Sequence, residues 1–177
     1  MTKQFNTGET QETLRQDYNP DGSVLRRAQM RMLDMAIYLQ ETAKKIGVPL
    51  RLDGGNVLGA LRHGGFIPWD DDIDMVVSQK DFKRLCDYLK AHPHPHYVLQ
   101  DNSTDRGFYK EWACLRDLRT ENRSHETSES ENRCIHEAQK YRGLHVDIFP
   151  YEGNMIPWLQ RFAAKLSVNV NLKMAGR

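Results

Sequence analysis

An acidic run that leads directly into an apolar segment restricts the fold of this chain more than any other feature of its sequence. Four aspartates fall within residues 70–74, and the next three residues, 75–77, are Met-Val-Val. The apolar stretch from Ile73 to Val77 predicts a buried strand. Carboxylates this close together repel one another. A fold that keeps them at the end of a buried strand therefore needs a compensating cation nearby.

The spacing of the aspartates indicates which of them act together. Residues two apart on a strand share a face, so Asp72 and Asp74 are expected to point the same way, with Ile73 in the core. Two carboxylates on one face suit Mg²⁺ or Mn²⁺, which take oxygen ligands and often bridge to phosphates. The alternative is a solvated acidic turn. A calcium loop is disfavoured, because Met75 stands where that loop needs glycine.

A glycine pair precedes the acidic run and comes just before a predicted short helix. Gly54 and Gly55 follow the predicted strand at 50–52, and Asn56 comes next. Glycines let backbone N–H groups approach a phosphate, and a helix N-terminus favours its negative charge. Most glycine pairs are ordinary turns. Followed by a strand with two carboxylates, this pair indicates a phosphate site opposite a metal site, the combination that phosphoryl transfer uses.

A further aspartate, Asp147, lies inside a predicted apolar strand at 144–149 that Pro150 is expected to close. An unpaired carboxylate is costly to bury, so Asp147 needs a partner. A neighbouring strand would bring it beside Asp72 and Asp74, where it would bind metal or take a proton from an attacking hydroxyl. The alternative is a structural carboxylate that pairs with an arginine or a backbone N–H group.

Helical and strand patterns alternate along the chain, which predicts an α/β or α+β domain. Residues 1–20 carry no sustained period and predict a flexible lead-in. A long amphipathic helix is expected from Leu25 to Ile46, capped by Ser23 and ended by Gly47 and Pro49. The other predicted elements are helices at 57–62, after Ser78 up to 92–96, and at 156–173, strands at 50–52, 73–77, 97–99, 112–115 and 144–149, and a surface loop at 119–140.

Composition excludes several classes of protein. The chain has 177 residues, with 25 basic against 24 acidic side chains, so no strong field favours nucleic acid or an anionic membrane. No apolar run approaches the ~20 residues of a membrane span, and residues 1–6 lack the apolar stretch of a secretory signal. Three cysteines lie far apart in the sequence, which disfavours a disulfide framework. These features predict a cytoplasmic protein with reduced thiols.

The block from Leu52 to Asp74 resembles the hallmark sequence of the LicD family, within the polymerase-beta-like nucleotidyltransferase superfamily. Its most specific part is Phe-Ile-Pro-Trp-Asp-Asp-Asp-Ile-Asp at residues 66–74, and residues 143–150 resemble the later strand of that family. The resemblance extends over residues 20–160. It implies a mixed sheet flanked by helices, with the amphipathic helix at its N-terminal side.

The resemblance also implies an activity. LicD-like proteins transfer phosphocholine from CDP-choline to sugars of lipopolysaccharide or teichoic acid, and relatives transfer other phospho-alcohols such as ribitol phosphate. A sugar hydroxyl would attack the phosphorus that bears the alcohol, and CMP would leave. The implied partners are a CDP-choline-like nucleotide and a glycan acceptor, with peripheral membrane association through a lipid-linked acceptor.

By resemblance, the catalytic residues and ligands of Mg²⁺ or Mn²⁺ would be Asp72, Asp74 and Asp147, and the phosphate contacts would include Gly54, Gly55 and Asn56. Arg62 is a further candidate for phosphate, since a guanidinium binds it through a planar fork; the alternative is a structural salt bridge. Other candidates for diphosphate are Lys110, Arg116 and Arg119, and other candidates for a quaternary ammonium are Trp69, Tyr109 and Trp112.

Two departures from the family pattern bear on function. Asn56 stands where the family usually has Thr or Ser, and its amide can still donate a hydrogen bond to phosphate. Family members generally continue past residue 177, so the domain at 21–177 is expected to be shortened at its C-terminus. The alternatives are a nucleotidyltransferase proper and a non-catalytic nucleotide- or glycan-binding remnant. Retention of all three carboxylates favours an enzyme.

Overall fold

The computed structural model describes residues 11–121 and 138–151. The predicted helix at 156–173, the first ten residues and most of the predicted loop at 119–140 lie outside the described residues. The elements, in chain order, are α1 (Gln11–Tyr18), α2 (Val24–Lys45), β1 (Leu50–Leu52), α3 (Gly54–Arg62), β2 (Asp74–Ser78), α4 (Gln79–Ala91), β3 (Tyr97–Gln100), β4 (Ala113–Asp117) and β5 (His145–Tyr151).

The long helix forms where its pattern predicts it. The Ser23 hydroxyl caps α2 by accepting a hydrogen bond from the Arg26 backbone N–H at 3.0 Å. The helix ends before Gly47, whose φ of +67° is a conformation that glycine adopts readily. Ser78 caps α4 in the same way through the Asp81 N–H.

The sequence analysis predicted no helix at α1, which lies within the segment interpreted as a flexible lead-in. This helix has one buried apolar side chain, Leu14, and is too short to show a period. Local ion pairs support it: Arg15 contacts Glu12 at 2.7 Å and Asp21 at 2.6 Å. Short helices held by such contacts leave little hydrophobic signal in the sequence.

Five strands form one mixed sheet in the order β1-β2-β5-β4-β3. The β2–β5 pair is parallel and the other three pairs are antiparallel. The predicted mixed sheet flanked by helices is confirmed. β5 continues through Pro150 instead of ending there. Beyond Ile148 it pairs with β2 alone, so its other side is an edge, where proline is tolerated.

The two faces of the sheet differ in chemistry. One face is apolar and packs against α2 and α4 to form the core, which includes Met35, Leu39, Met75, Val77, Leu85, Leu115, Val146 and Ile148. The alternate positions point to the other face, since side chains alternate along a strand. There, strand register places Asp74, Asp147, Cys114 and Gln100 in one row across four strands. This polar row contains two aspartates of the candidate active site, Asp74 and Asp147.

Among the described helices, none combines the length and the apolar character that crossing a bilayer requires.

Candidate active site

The parallel pairing of β2 and β5 brings two of the predicted carboxylates together. Asp74 and Asp147 are directly paired residues on adjacent strands. The Asp147 backbone N–H donates to the Ile73 carbonyl at 3.0 Å, which fixes this register at the start of β2. The predicted placement of Asp147 on a strand beside Asp74 is therefore confirmed.

The acidic segment before β2 is held by a residue that the sequence analysis did not identify. Gln29 of α2 is fully buried, and its side-chain amide donates to the Asp70 carbonyl at 2.8 Å. Its amide oxygen accepts from Asn19 at 2.8 Å. The only available signal was a polar residue on the apolar side of α2. Gln29 fixes the backbone that carries the aspartates.

The carboxylates of this segment ionise less readily than ordinary ones. Burial and repulsion from Asp72 raise the pKa of both Asp70 and Asp74 to about 6, and burial and Asp71 raise the pKa of Asp72. One oxygen of Asp70 is buried with no hydrogen-bond partner. Clustered carboxylates with raised pKa values and an unsatisfied buried oxygen fit a site for a hard divalent cation.

Asp147 has a different environment, because three groups contact its carboxylate. Lys110 Nζ lies 3.4 and 3.2 Å from its two oxygens, and the Cys114 thiol donates to Oδ1 at 2.7 Å. His145 Nε2 lies 3.7 Å from Oδ1. Burial opposes ionisation of Asp147, but these neighbours hold its pKa below the ordinary value. Asp147 is therefore an anion at neutral pH.

His145 and Arg116 form a buried pair behind Asp147. The Arg116 guanidinium lies 3.0 Å from His145 Nδ1. Because arginine only donates, Nδ1 accepts, and the ring proton sits on Nε2 towards Asp147. Burial and the Arg116 charge lower the pKa of His145 to about 3, so the ring is neutral at pH 7.

The predicted trio of metal ligands is not a compact group of side chains. Within the described ranges, groups with ligand atoms inside 4.8 Å of one another are Asp70–Asp71–Asp72 and Cys114–His145–Asp147. The carboxylate of Asp147 contacts Lys110 and Cys114 on its β4 side, whereas Asp72 and Asp74 belong to the β2 side. Asp147 thus joins the other two through its strand position, not through side-chain contact.

The glycine pair lies against the carboxylates, as the first turn of α3. The helix starts at Gly54 rather than at Val57, so the glycines belong to it. Gly54 has a φ of +52°, and a Cβ added there would lie 3.4 Å from an Asp74 carboxylate oxygen. At Gly55 a Cβ would lie 3.1 Å from Asp70 Oδ2. The first N–H groups of a helix lack partners within it, so α3 presents donors and a positive dipole end beside the carboxylates.

Asn56 holds the backbone of two aspartates, a role that the sequence did not predict. It is buried, its side-chain N–H donates to the Asp72 carbonyl at 3.1 Å, and its amide oxygen accepts from the Asp74 backbone N–H at 2.5 Å. Its own backbone N–H donates to the Asp53 carbonyl at 3.2 Å. The amide has a second N–H, and its contact with phosphate stays a prediction.

The other predicted basic contacts separate into one residue at the site and several elsewhere. Arg62 lies in the last turn of α3, about 12 Å along the helix axis from the glycines. Arg116 is buried and donates to Gln100 and the Gly143 carbonyl, and Arg119 pairs with Asp117. Lys110 contacts Asp147, a predicted site carboxylate. The two arginines at positions 116 and 119 have structural roles.

The aromatic candidates also separate by exposure. Trp69 and Tyr109 are exposed, whereas Trp112 is half-buried and packs against Phe149 with ring centroids 4.8 Å apart. Trp69 adjoins Asp70 in the chain and makes an edge contact with Tyr18 at 5.3 Å between ring centroids. Trp112 is therefore a packing residue, and Trp69 lies on the surface next to the acidic segment.

Comparison with known proteins adds a family to this geometry. The family model described as "LicD/FKTN/FKRP, nucleotidyltransferase domain" matches residues 47–165, which is more than half of the chain. The match includes the glycine pair, the acidic segment and β5.

Curated relatives with similar sequence include three transferases. The chain is 30% identical to lipopolysaccharide cholinephosphotransferase LicD of Haemophilus influenzae over 131 residues, 73% of this chain and 44% of that protein. It is 32% identical to ribitol 5-phosphate transferase FKRP of Mus musculus over 120 residues, 64% of this chain and 20% of that protein. It is 34% identical to ribitol-5-phosphate transferase FKTN of Mus musculus over 67 residues, 38% of this chain and 14% of that protein. The chain spans less than half the length of these relatives.

Proposed function

The chain belongs to the LicD/FKTN/FKRP nucleotidyltransferase family, and from that premise we propose that it transfers a phospho-alcohol to a sugar hydroxyl. The donor is a nucleotide-activated alcohol, with CDP-choline as the first to test, and the acceptor is a cell-surface glycan such as lipopolysaccharide or teichoic acid. The reaction takes place on the cytoplasmic side, with peripheral membrane association when the acceptor is lipid-linked. The activities of these relatives, cholinephosphotransferase and ribitol 5-phosphate transferase, support this class of reaction.

One observation carries the proposal: Asp74 and Asp147 are paired on adjacent parallel strands, with the N-terminus of α3 beside them. An anion-binding helix end next to paired carboxylates suits a diphosphate, which needs donors on its oxygens and a cation between it and the carboxylates.

Asp72, Asp74 and Asp147 would hold Mg²⁺ or Mn²⁺. When bound, the cation supplies positive charge that stabilises the diphosphate and the leaving CMP. The first-turn N–H groups at Gly54 and Gly55 bind phosphate oxygens. The lack of side chains leaves room for the carboxylates of Asp74 and Asp70 beside them. Gln29 and Asn56 hold the backbone on which the carboxylates sit.

The reaction proposed here is a displacement at the phosphorus that bears the alcohol. The sugar oxygen forms a bond to that phosphorus, the bond from phosphorus to the bridging oxygen breaks, and the electron pair leaves on CMP. The hydroxyl proton goes to a base. Asp147 can accept it because this residue is ionised at neutral pH, as an alternative to binding the metal.

The test follows products from CDP-choline, Mg²⁺ and a sugar acceptor by chromatography. We expect CMP and a choline-phosphate ester of the sugar, with the signal lost in EDTA and in Asp72→Asn but kept in Asp34→Asn, an exposed control on α2. Release of phosphocholine instead of CMP would identify nucleotidyl transfer. If CDP-ribitol reacts and CDP-choline does not, the class of reaction stands and the alcohol changes. CMP release that persists in EDTA and in Asp72→Asn would end the proposal.

A further inference from the structure

Lys110 is a cation whose position within the site the proposed function does not explain. Its ammonium contacts both oxygens of Asp147, at 3.4 and 3.2 Å. Only 16% of the Lys110 side chain and 12% of the Asp147 side chain are exposed, so water screens this pair weakly. Among the described ion pairs, this is the one in which a lysine or arginine contacts a predicted metal ligand.

The surroundings of Lys110 keep its ammonium at this point. It lies over the Trp112 ring, 5.0 Å from the centroid, which is a cation–π contact. Trp112 in turn packs against Phe149 of β5. The ammonium is therefore held between the carboxylate of Asp147 and the ring of Trp112.

A divalent cation at Asp147 would repel the ammonium that already pairs with this carboxylate. Lys110 engages both oxygens of Asp147, and the Cys114 thiol occupies Oδ1 as well. Metal binding at Asp147 would therefore favour movement of the ammonium away from this carboxylate. A displaced lysine has a flexible four-carbon stem and seeks another anion nearby.

We propose that Lys110 is an exchangeable cation of the active site: it pairs with Asp147 until a divalent metal takes that carboxylate, and then contacts a phosphate of the nucleotide. The inference depends on the metal and nucleotide site of the proposed function. It gives Lys110 two opposite effects, since the ammonium competes with the metal and assists the nucleotide. A purely structural lysine would weaken both when it is replaced.

Metal binding is measured first, by Mn²⁺ titration with electron paramagnetic resonance, without nucleotide. We expect Lys110→Met and Lys110→Gln to bind Mn²⁺ about 3- to 10-fold more tightly than the parent chain, since each removes a competing charge from a weakly screened site. Lys110→Arg keeps the charge and should not gain affinity. Lys83→Met is the matched control, because it removes the same charge from an exposed position on α4.

Nucleotide binding is measured second, by calorimetry with CDP at saturating Mn²⁺. We expect Lys110→Met to bind CDP about 10-fold more weakly, the effect of losing one charge-assisted contact to phosphate. CDP affinity that equals that of the parent chain would overturn the contact with phosphate. Mn²⁺ affinity in the two neutral variants that is unchanged or weaker would overturn the competition. Neither measurement needs turnover, so a failure of the transfer assay stays distinct from a failure here.

The unmodified chain offers an independent readout if the neutral variants fold poorly. Acetylation of each lysine is followed by mass spectrometry as Mg²⁺ and then CDP are added. We expect Lys110 to become more reactive with Mg²⁺, because its ammonium leaves Asp147, and less reactive once CDP is present, with Lys83 constant. Equal reactivity of Lys110 in all three conditions would contradict the exchange.

Discussion

Two sets of acidic side chains around this sheet have pKa values that are shifted in opposite directions. The β2 carboxylates, defined as Asp70, Asp72 and Asp74, have raised pKa values because of burial and mutual repulsion. The paired carboxylates, defined as Asp105 and Asp117, are more deeply buried, yet their pKa values are lowered. Burial alone therefore does not decide whether the pKa of a carboxylate in this fold is raised or lowered.

The difference lies in the partners that the chain supplies. Asp105 accepts hydrogen bonds from the Gln100 amide at 2.7 Å and from the backbone N–H groups of Gly107 at 2.9 Å and Lys140 at 2.7 Å. Asp117 pairs with Arg31 and Arg119. The β2 carboxylates have no such set of donors on their side chains in the described part of the chain. The paired carboxylates stabilise the fold, whereas the proposed function assigns Asp72 and Asp74 to a bound cation.

The sharpest test of this contrast is Asp74→Asn. We expect CMP release to fall at least about 100-fold, since a group that stabilises charge in the transition state is lost. The free energy of unfolding from urea titration should stay the same or rise, because the substitution removes a repelled carboxylate. A variant that loses activity and stability together would instead place Asp74 among the paired carboxylates.

The opposite outcome is expected for Asp105→Ala. The substitution leaves buried N–H donors without an acceptor, so the free energy of unfolding should fall by about 2–4 kcal/mol. The same urea titration measures it. Asp87→Ala, which removes an exposed carboxylate on α4 that pairs with Lys83, should change stability by less than about 1 kcal/mol. Equal losses in the two variants would remove the distinction between buried and exposed partners.

Asn56→Ala tests how α3 holds the segment that carries Asp72 and Asp74. The substitution removes the two hydrogen bonds to the backbone of Asp72 and Asp74, so we expect a loss of about 1–2 kcal/mol in unfolding free energy. Mn²⁺ affinity should fall as well, because the aspartates lose their fixed spacing. Gln79→Ala, at an exposed position on α4, is the control for both measurements. A loss of stability with unchanged Mn²⁺ affinity would mean that Asn56 supports the fold alone.

The smallest expected effect is on the acid side of the stability profile. Asp105 and Asp117 have pKa values below their ordinary 3.8 in the folded chain. Their contribution is therefore fully present above the unfolded value and is lost as pH falls through the folded values. We expect the free energy of unfolding to decline below about pH 4 and this decline to be shallower in Asp117→Asn, measured by urea titration at each pH. An equally steep decline in that variant would assign the acid sensitivity to other groups.

Much of the fold follows from periodic patterns in the sequence. The pattern of α2 and the apolar runs at β2 and β5 are long enough to predict these elements, and a single buried aspartate in β5 is a strong signal. The short α1 has no such pattern. The order of the strands and their register depend on contacts between distant segments, so the row from Asp74 to Gln100 could not be predicted from local residues.

Part of the candidate site could also be predicted from the sequence. Residue type and spacing indicate Asp72, Asp74 and Asp147 as candidate ligands, and the strand pairing confirms the placement of Asp147 beside Asp74. The residues that contact or position these aspartates carry no such signal. Gln29 and Asn56 act on backbone groups, and Lys110 reaches Asp147 only after β4 and β5 pair. Such roles depend on tertiary geometry, which residue type alone does not specify.

The parallel pairing of β2 with β5 has a consequence for the order of folding. Asp74 leaves the ribosome long before Asp147 does, and a parallel partner cannot be reached through a tight turn. During synthesis the acidic segment stays solvated until β3, β4 and the connection to β5 have followed. The contact between β2 and β5 is the most non-local in the sheet, and such contacts form late. The nascent chain therefore brings Asp147 beside Asp74 only when folding of the sheet finishes.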